Sequence, residues 1–89
     1  MDRIILLKSD YYWELTLKQT NYRKKVLKAL SETPDEIFSQ KTALKNDLGA
    51  ASSTQKALES LIEQGIIEKL NRKHIFTDPL YRLFIEQEL

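Results

Sequence analysis

Two short runs rich in β-branched and aromatic residues, IIEKL (66–70) and HIFT (74–77), are separated only by Asn71, Arg72 and Lys73. A gap that short leaves no room for a crossover connection, so the runs must pair as an antiparallel β-hairpin, here with a three-residue loop. The flanks are constrained as well. Gly65 closes the element before the hairpin, because without a Cβ it enters the left-handed backbone region freely. Asp78-Pro79 opens the element after it, with the aspartate as N-cap and the proline at the first helical position, where its fixed φ is already helical. PLYRLFIEQE then reads as a helix, apolar at 80, 81, 83, 84 and 85, which is wider than a one-sided stripe. The surplus must cover the N-terminal segment or dock on another domain or subunit.

Upstream, the apolar positions 22, 26, 29 and 30 of YRKKVLKAL follow the spacing of an amphipathic helix, and Lys24, Lys25 and Lys28 fall largely outside that stripe. SETPDEIF fits two readings. Thr33, Pro34 and Glu36 have the form of a capping box, or the segment is a tight turn leading to a short extended Ile37-Phe38. Ser39 is an N-cap for the next helix, QKTALKNDL, expected to bury Ala43, Leu44 and Leu48 and to end at Gly49. In AASSTQKALESLIEQG, Ser52 and Gln55 have capping-box spacing, and residues 54, 57, 58, 61 and 62 form the most regular helical stripe in the chain.

Helix, helix, tight turn, helix, hairpin, helix is the plan of a winged helix-turn-helix, a mainly α fold with a small β-hairpin wing (α+β). The division expected is a winged helix-turn-helix domain over 18–89 and an N-terminal extension over 1–17. That extension, helix or strand, packs on the body through Ile5, Leu6, Tyr12, Trp13, Leu15 or Leu17. The adjacent Tyr11, Tyr12 and Trp13 read as core rather than as a stacking platform for single-stranded bases.

Composition removes most other function classes. With 89 residues the chain has room for one modest core, burying about two-thirds of its unfolded surface. It has no cysteine and one histidine, so disulfides, thiolate zinc sites and histidine metal clusters are excluded, and no cofactor is expected. His74 reads as a partly exposed structural residue, and no strand-to-helix nucleophile elbow supports catalysis. The opening apolar run, Ile4 to Leu7, is too short for a signal-peptide core or a membrane span, so the chain reads as cytoplasmic. A formal charge of +1 gives no global basic field, and any nucleic-acid contact must come from a local patch.

LGAASSTQKALESLIEQGIIEK, followed by a short wing and FTDPLYRLFI, resembles the C-terminal winged-helix domain of a group of archaeal and bacterial AAA-type P-loop ATPases. The similarity covers about residues 15 to 89. Its more discriminating part is Asp78, Pro79, Leu80, Tyr81, Arg82, Leu83, Phe84 and Ile85 directly after the wing, with Phe84 where that group commonly has tryptophan. The resemblance implies a domain belonging to a larger ATPase. The chain itself has no GxxxxGK[ST] run: its two glycines, Gly49 and Gly65, are separated by a helix, so it does not cradle a nucleotide in that way.

In this plan the third helix would be the recognition helix, and its outer N-terminal residues Ser52, Ser53, Gln55 and Lys56 are types that bond phosphate oxygens or base edges. Arg72 and Lys73 belong to the wing tip, and Lys41 and Lys45 could add phosphate contacts from the second helix. Stretches 18–28, 41–56 and 71–74 hold Lys18, Arg23, Lys24, Lys25, Lys28, Lys41, Lys45, Lys56, Arg72 and Lys73 against one acid, Asp47. Lysines on amphipathic helices are also simply a solvated face, and Glu59 would repel phosphate from the outer side of the recognition helix. The expected function is therefore a non-enzymatic module that binds DNA or docks a protein partner or parent ATPase domain. A free-standing dimeric transcriptional regulator is the alternative.

Overall fold

The computed structural model describes the backbone of residues 3–89 and the side chains of residues 9–89. In chain order it contains α1 (Arg3–Leu17), α2 (Asn21–Glu32), α3 (Gln40–Asn46), α4 (Ala51–Glu63), β1 (Ile67–Leu70), β2 (Lys73–Phe76) and α5 (Pro79–Glu88). This is the mainly helical, winged arrangement expected, with α2, α3 and α4 forming the helix-turn-helix body and β1–β2 the wing.

Each helix of the body starts or stops for a local reason. Thr20 caps α2 by accepting from the Arg23 amide at 3.1 Å. Ser39 caps α3 as expected, accepting from the Thr42 amide at 3.1 Å. Between them, residues 33–39 form two successive turns, closed by Glu36 N–H to Thr33 O and Ser39 N–H to Glu36 O. The tight-turn reading therefore holds in its first half, but neither a capping box nor an extended Ile37-Phe38 is present.

Two expectations for α3 and α4 are corrected. Helix α3 ends at Asn46, because Asp47 takes the left-handed conformation (φ 55°) and Leu48 N–H bonds back to Ala43 O. That reversal carries Leu48 into the core, while Leu44 is 76% exposed, and the buried α3 position is Thr42. Gly49, also at positive φ, belongs to the connecting turn and does not stop α3. Helix α4 begins at Ala51 with Ala50 at the N-cap and no side-chain cap, so Ser52 lies inside the first turn and the Ser52/Gln55 capping box does not form. The predicted stripe does: Thr54, Ala57, Leu58 and Leu61 are buried and Ile62 is half-buried.

The N-terminal segment is a helix, and it covers the surplus apolar face of α5. Tyr12 and Trp13 pack on Phe84 with ring centroids 5.3 and 5.1 Å apart, and Tyr12 also meets Tyr81 at 5.2 Å. Leu17, the last residue of α1, faces solvent and does not join this packing. The proposed packing of Ile5 and Leu6 lies outside the described side chains. Asp78 joins α1 to the wing and α5. One carboxylate oxygen accepts from the Leu80 amide at 2.9 Å as the N-cap of α5, and the other accepts from the Tyr12 hydroxyl at 2.8 Å. Beneath this bond, Thr16 Oγ1 donates to Tyr12 O and shares a 2.7 Å hydrogen bond with the Tyr81 hydroxyl.

Removing the Asp78 carboxylate deletes a helix cap and a charge-assisted bond together. Asp78→Ala is expected to cost about 2–3 kcal/mol, and Tyr12→Phe about 1 kcal/mol. The double variant should cost less than the sum, because the Tyr12 bond is lost in both. Urea unfolding of the three variants measures this, and strict additivity would show that Asp78 does not link the two helices.

Candidate nucleic-acid interface

The wing is tighter than the sequence suggested. Leu70 pairs with Lys73 and Ile67 with Phe76, so the loop is the two residues Asn71-Arg72 rather than three. Both have positive φ, 51° and 70°, as a two-residue primed hairpin turn requires. Asparagine tolerates that conformation. Arginine does so at a cost of about 1–2 kcal/mol, so Arg72 is held at the exposed tip against its backbone preference. Lys73, now the first residue of β2, forms a 3.3 Å ion pair with Asp35 from the turn after α2.

The other predicted contact residues divide between different surfaces. Ser53 and Lys56 line a groove between α4 and the start of α2, of about 360 Å³, together with Thr20, Arg23 and Ser60, and floored by Ala57. Ser52 is exposed on the first turn of α4. Gln55 faces outward and donates to Glu59 at 3.2 Å, so the expected acid on the outer side of α4 is there and is held by a proposed contact residue. Lys41 and Lys45 lie elsewhere, in a groove between the end of α2 and α3 that also contains Glu32 and Glu36. Carboxylates therefore share that groove with both lysines, although among the described residues no ion pair joins them.

Arg23, absent from the expected contact set, is the residue that completes the α2–α4 groove. Its Nε donates to Gln19 Oε1 at 2.8 Å. Gln19, only 5% exposed, exchanges two hydrogen bonds with Gln64 at 2.8 and 3.2 Å, and Gln64 bonds in turn to Ser60 Oγ. Arg23 and Gln19 are four residues apart across the start of α2, a local contact, but the one with Gln64 spans 45 residues and no local pattern announces it.

His74 corrects another expectation, since it is 3% exposed rather than partly exposed. Its ring sits edge-on to Phe38 with centroids 6.1 Å apart, and its Nε2 has no hydrogen-bond partner. Alternation along β2 turns His74 and Phe76 inward and leaves Ile75 on the other face. Burial lowers the His74 pKa, and Lys69, directly opposite on β1, lowers it further. Among the described residues there is no cluster of groups that could hold a metal ion, and no helix is long and apolar enough to cross a membrane.

A protein family described as a probable winged helix domain matches residues 10–87. No curated protein and no solved structure matches the chain.

The His74 environment gives stability a defined pH dependence. The imidazole ordinarily titrates at 6.5 and does so lower in the folded chain, so below that pH the unfolded state binds more protons. The stability contributed by the neutral ring is full above about pH 6.5 and is lost as the pH falls toward the lowered folded value. His74→Phe should flatten the decline between about pH 7 and 5.5 in urea midpoints. An unchanged slope would locate the titration elsewhere.

Proposed function

The chain belongs to this winged helix family, and we propose that it acts as a non-enzymatic DNA-binding module. Winged helix domains serve as DNA-binding or protein-docking modules. The DNA reading assigns Ser52, Ser53, Gln55 and Lys56 to the contact face of α4, with Arg72 and Lys73 on the wing and Lys41 and Lys45 as peripheral phosphate contacts. Arg72 is the observation that carries this reading. It occupies the second position of a primed turn at φ 70°, where glycine would sit without strain, and it is exposed. A residue kept in a costly conformation at a loop tip points to a role for its side chain, and an unburied guanidinium suits a phosphate oxygen. The geometry of Gln55 and Glu59 limits base reading on the outer face of α4, so contacts to the backbone are expected to dominate affinity.

We further propose that the module is part of a larger AAA-type ATPase. The support is the Asp78-to-Ile85 segment, whose cap, proline and apolar residues match that group's pattern at the positions where this chain builds α5. A P-loop in the coding sequence upstream is the observation that decides parentage. Sedimentation distinguishes the alternative, since a free-standing regulator would dimerise to span two half-sites, whereas a monomer is expected here.

Arg72→Gly separates folding from binding. It should stabilise the domain by about 0.5–1.5 kcal/mol by relieving the turn, while weakening duplex DNA binding severalfold in fluorescence anisotropy at low salt. Unchanged DNA affinity would remove the wing tip from the interface. No binding by the wild type at low salt would leave protein docking as the function.

A further inference from the structure

Of the described grooves, the one between α2 and α4 combines two cations from different helices with a lining that contains no carboxylate. The groove that contains Lys41 and Lys45 also contains Glu32 and Glu36, and the groove beside the wing holds only Arg82 among Pro34, Ile75, Phe76 and Pro79. Among the described residues, neither Arg23 nor Lys56 takes part in an ion pair. The groove is also lined by Thr20, Ser53 and Ser60, whose hydroxyls can donate to an anion without changing its charge.

The Arg23 guanidinium is also positioned before any ligand arrives. Its Nε is held by Gln19, and Gln19 is locked by the reciprocal amide pair with Gln64 and buried against solvent. Only the Nε edge is used in this way, and the terminal nitrogens are not engaged by any described hydrogen bond. An arginine fixed through one edge loses less side-chain freedom on binding, and its planar fork matches the oxygens of a phosphoryl group.

We infer that this groove seats one phosphodiester of a nucleic-acid backbone, with Arg23 and Lys56 as the charged contacts from α2 and α4. The inference rests on the DNA-binding reading and deepens it. The strand that passes α4 is gripped on its α2 side, and Arg23 becomes a contact residue that the helix-turn-helix pattern did not supply. The wing tip then acts as a second, separate anchor.

Fluorescence anisotropy with a duplex of about 20 base pairs, across about 25–200 mM KCl, tests it with wild type, Arg23→Gln and Arg72→Gly. Arg23→Gln should lose about three- to tenfold in affinity and make the salt slope shallower by about 0.9, the increment for one phosphate. Ser53→Asp places a carboxylate in the groove at an exposed first-turn position that favours acids, so its expected loss of binding is not a folding defect. Melting midpoints of all variants accompany the titrations. Wild-type affinity and slope in Arg23→Gln, with weakened binding in Arg72→Gly, would overturn the groove while leaving the DNA reading in place. No duplex binding by wild type at the lowest salt would overturn both. Parallel titrations with inorganic phosphate and adenosine monophosphate cover the remaining source. Binding of either that depends on Arg23, with duplex affinity indifferent to it, would make the groove a small-anion site and sink the phosphodiester assignment.

Discussion

The Asp78 carboxylate holds three elements in register. It stands where β2 ends and α5 begins, and its two oxygens divide between the Leu80 amide and the Tyr12 hydroxyl. The first bond fixes the angle at which α5 leaves the wing. The second brings α1 onto α5, so that Tyr12, Tyr81 and Phe84 form one aromatic cluster under the carboxylate. The phenol is held as a donor, because burial, then its hydrogen bond to Asp78 and that carboxylate's charge raise its pKa above the ordinary value. Without α1 in place, the Tyr81 and Phe84 side of α5 would be open to water, while α2 would still cover the rest of its apolar face.

That arrangement explains which parts of the fold were legible beforehand. Elements whose boundaries are set by local chemistry could be read: Ser39 and Asp78 as caps, Pro79 as a first helical residue, and the α4 stripe from 54 to 61. Elements decided by a competing local geometry were misread. Asp47, not Gly49, takes the left-handed position that ends α3, and this one substitution of roles exposes Leu44 and buries Leu48. Ala50, with no side-chain acceptor to offer, occupies the N-cap of α4, where Ser52 had the more familiar signature. The turn type of the hairpin depended on whether Arg72 would accept positive φ, which side-chain preference argues against and strand pairing imposes.

The candidate interface was less legible because charge along a sequence is not charge on a surface. Lys41, Lys45 and Lys56 lie in one basic stretch of the chain, yet α3 places the first two in a groove with Glu32 and Glu36 while α4 places the third in a groove with Arg23. Lys25 is in turn spent on Asp47 at 3.2 Å, an exposed pair that contributes little to stability but removes a cation from the free set. What the sequence conceals is the amide pair of Gln19 and Gln64. Two uncharged side chains, far apart in the chain, decide where an arginine points.

The two-residue turn of the wing carries a constraint on how this domain could vary in length. Because pairing alternates inward and outward residues, His74 and Phe76 face the core only while Leu70 opposes Lys73. A single extra residue in one arm would rotate both to solvent and present Ile75 to the body in their place. The arms can therefore grow or shrink by matched pairs, which keeps the core and moves the tip outward or inward in discrete strides. Wing reach in such a domain is a quantised property, with the primed turn as its fixed end.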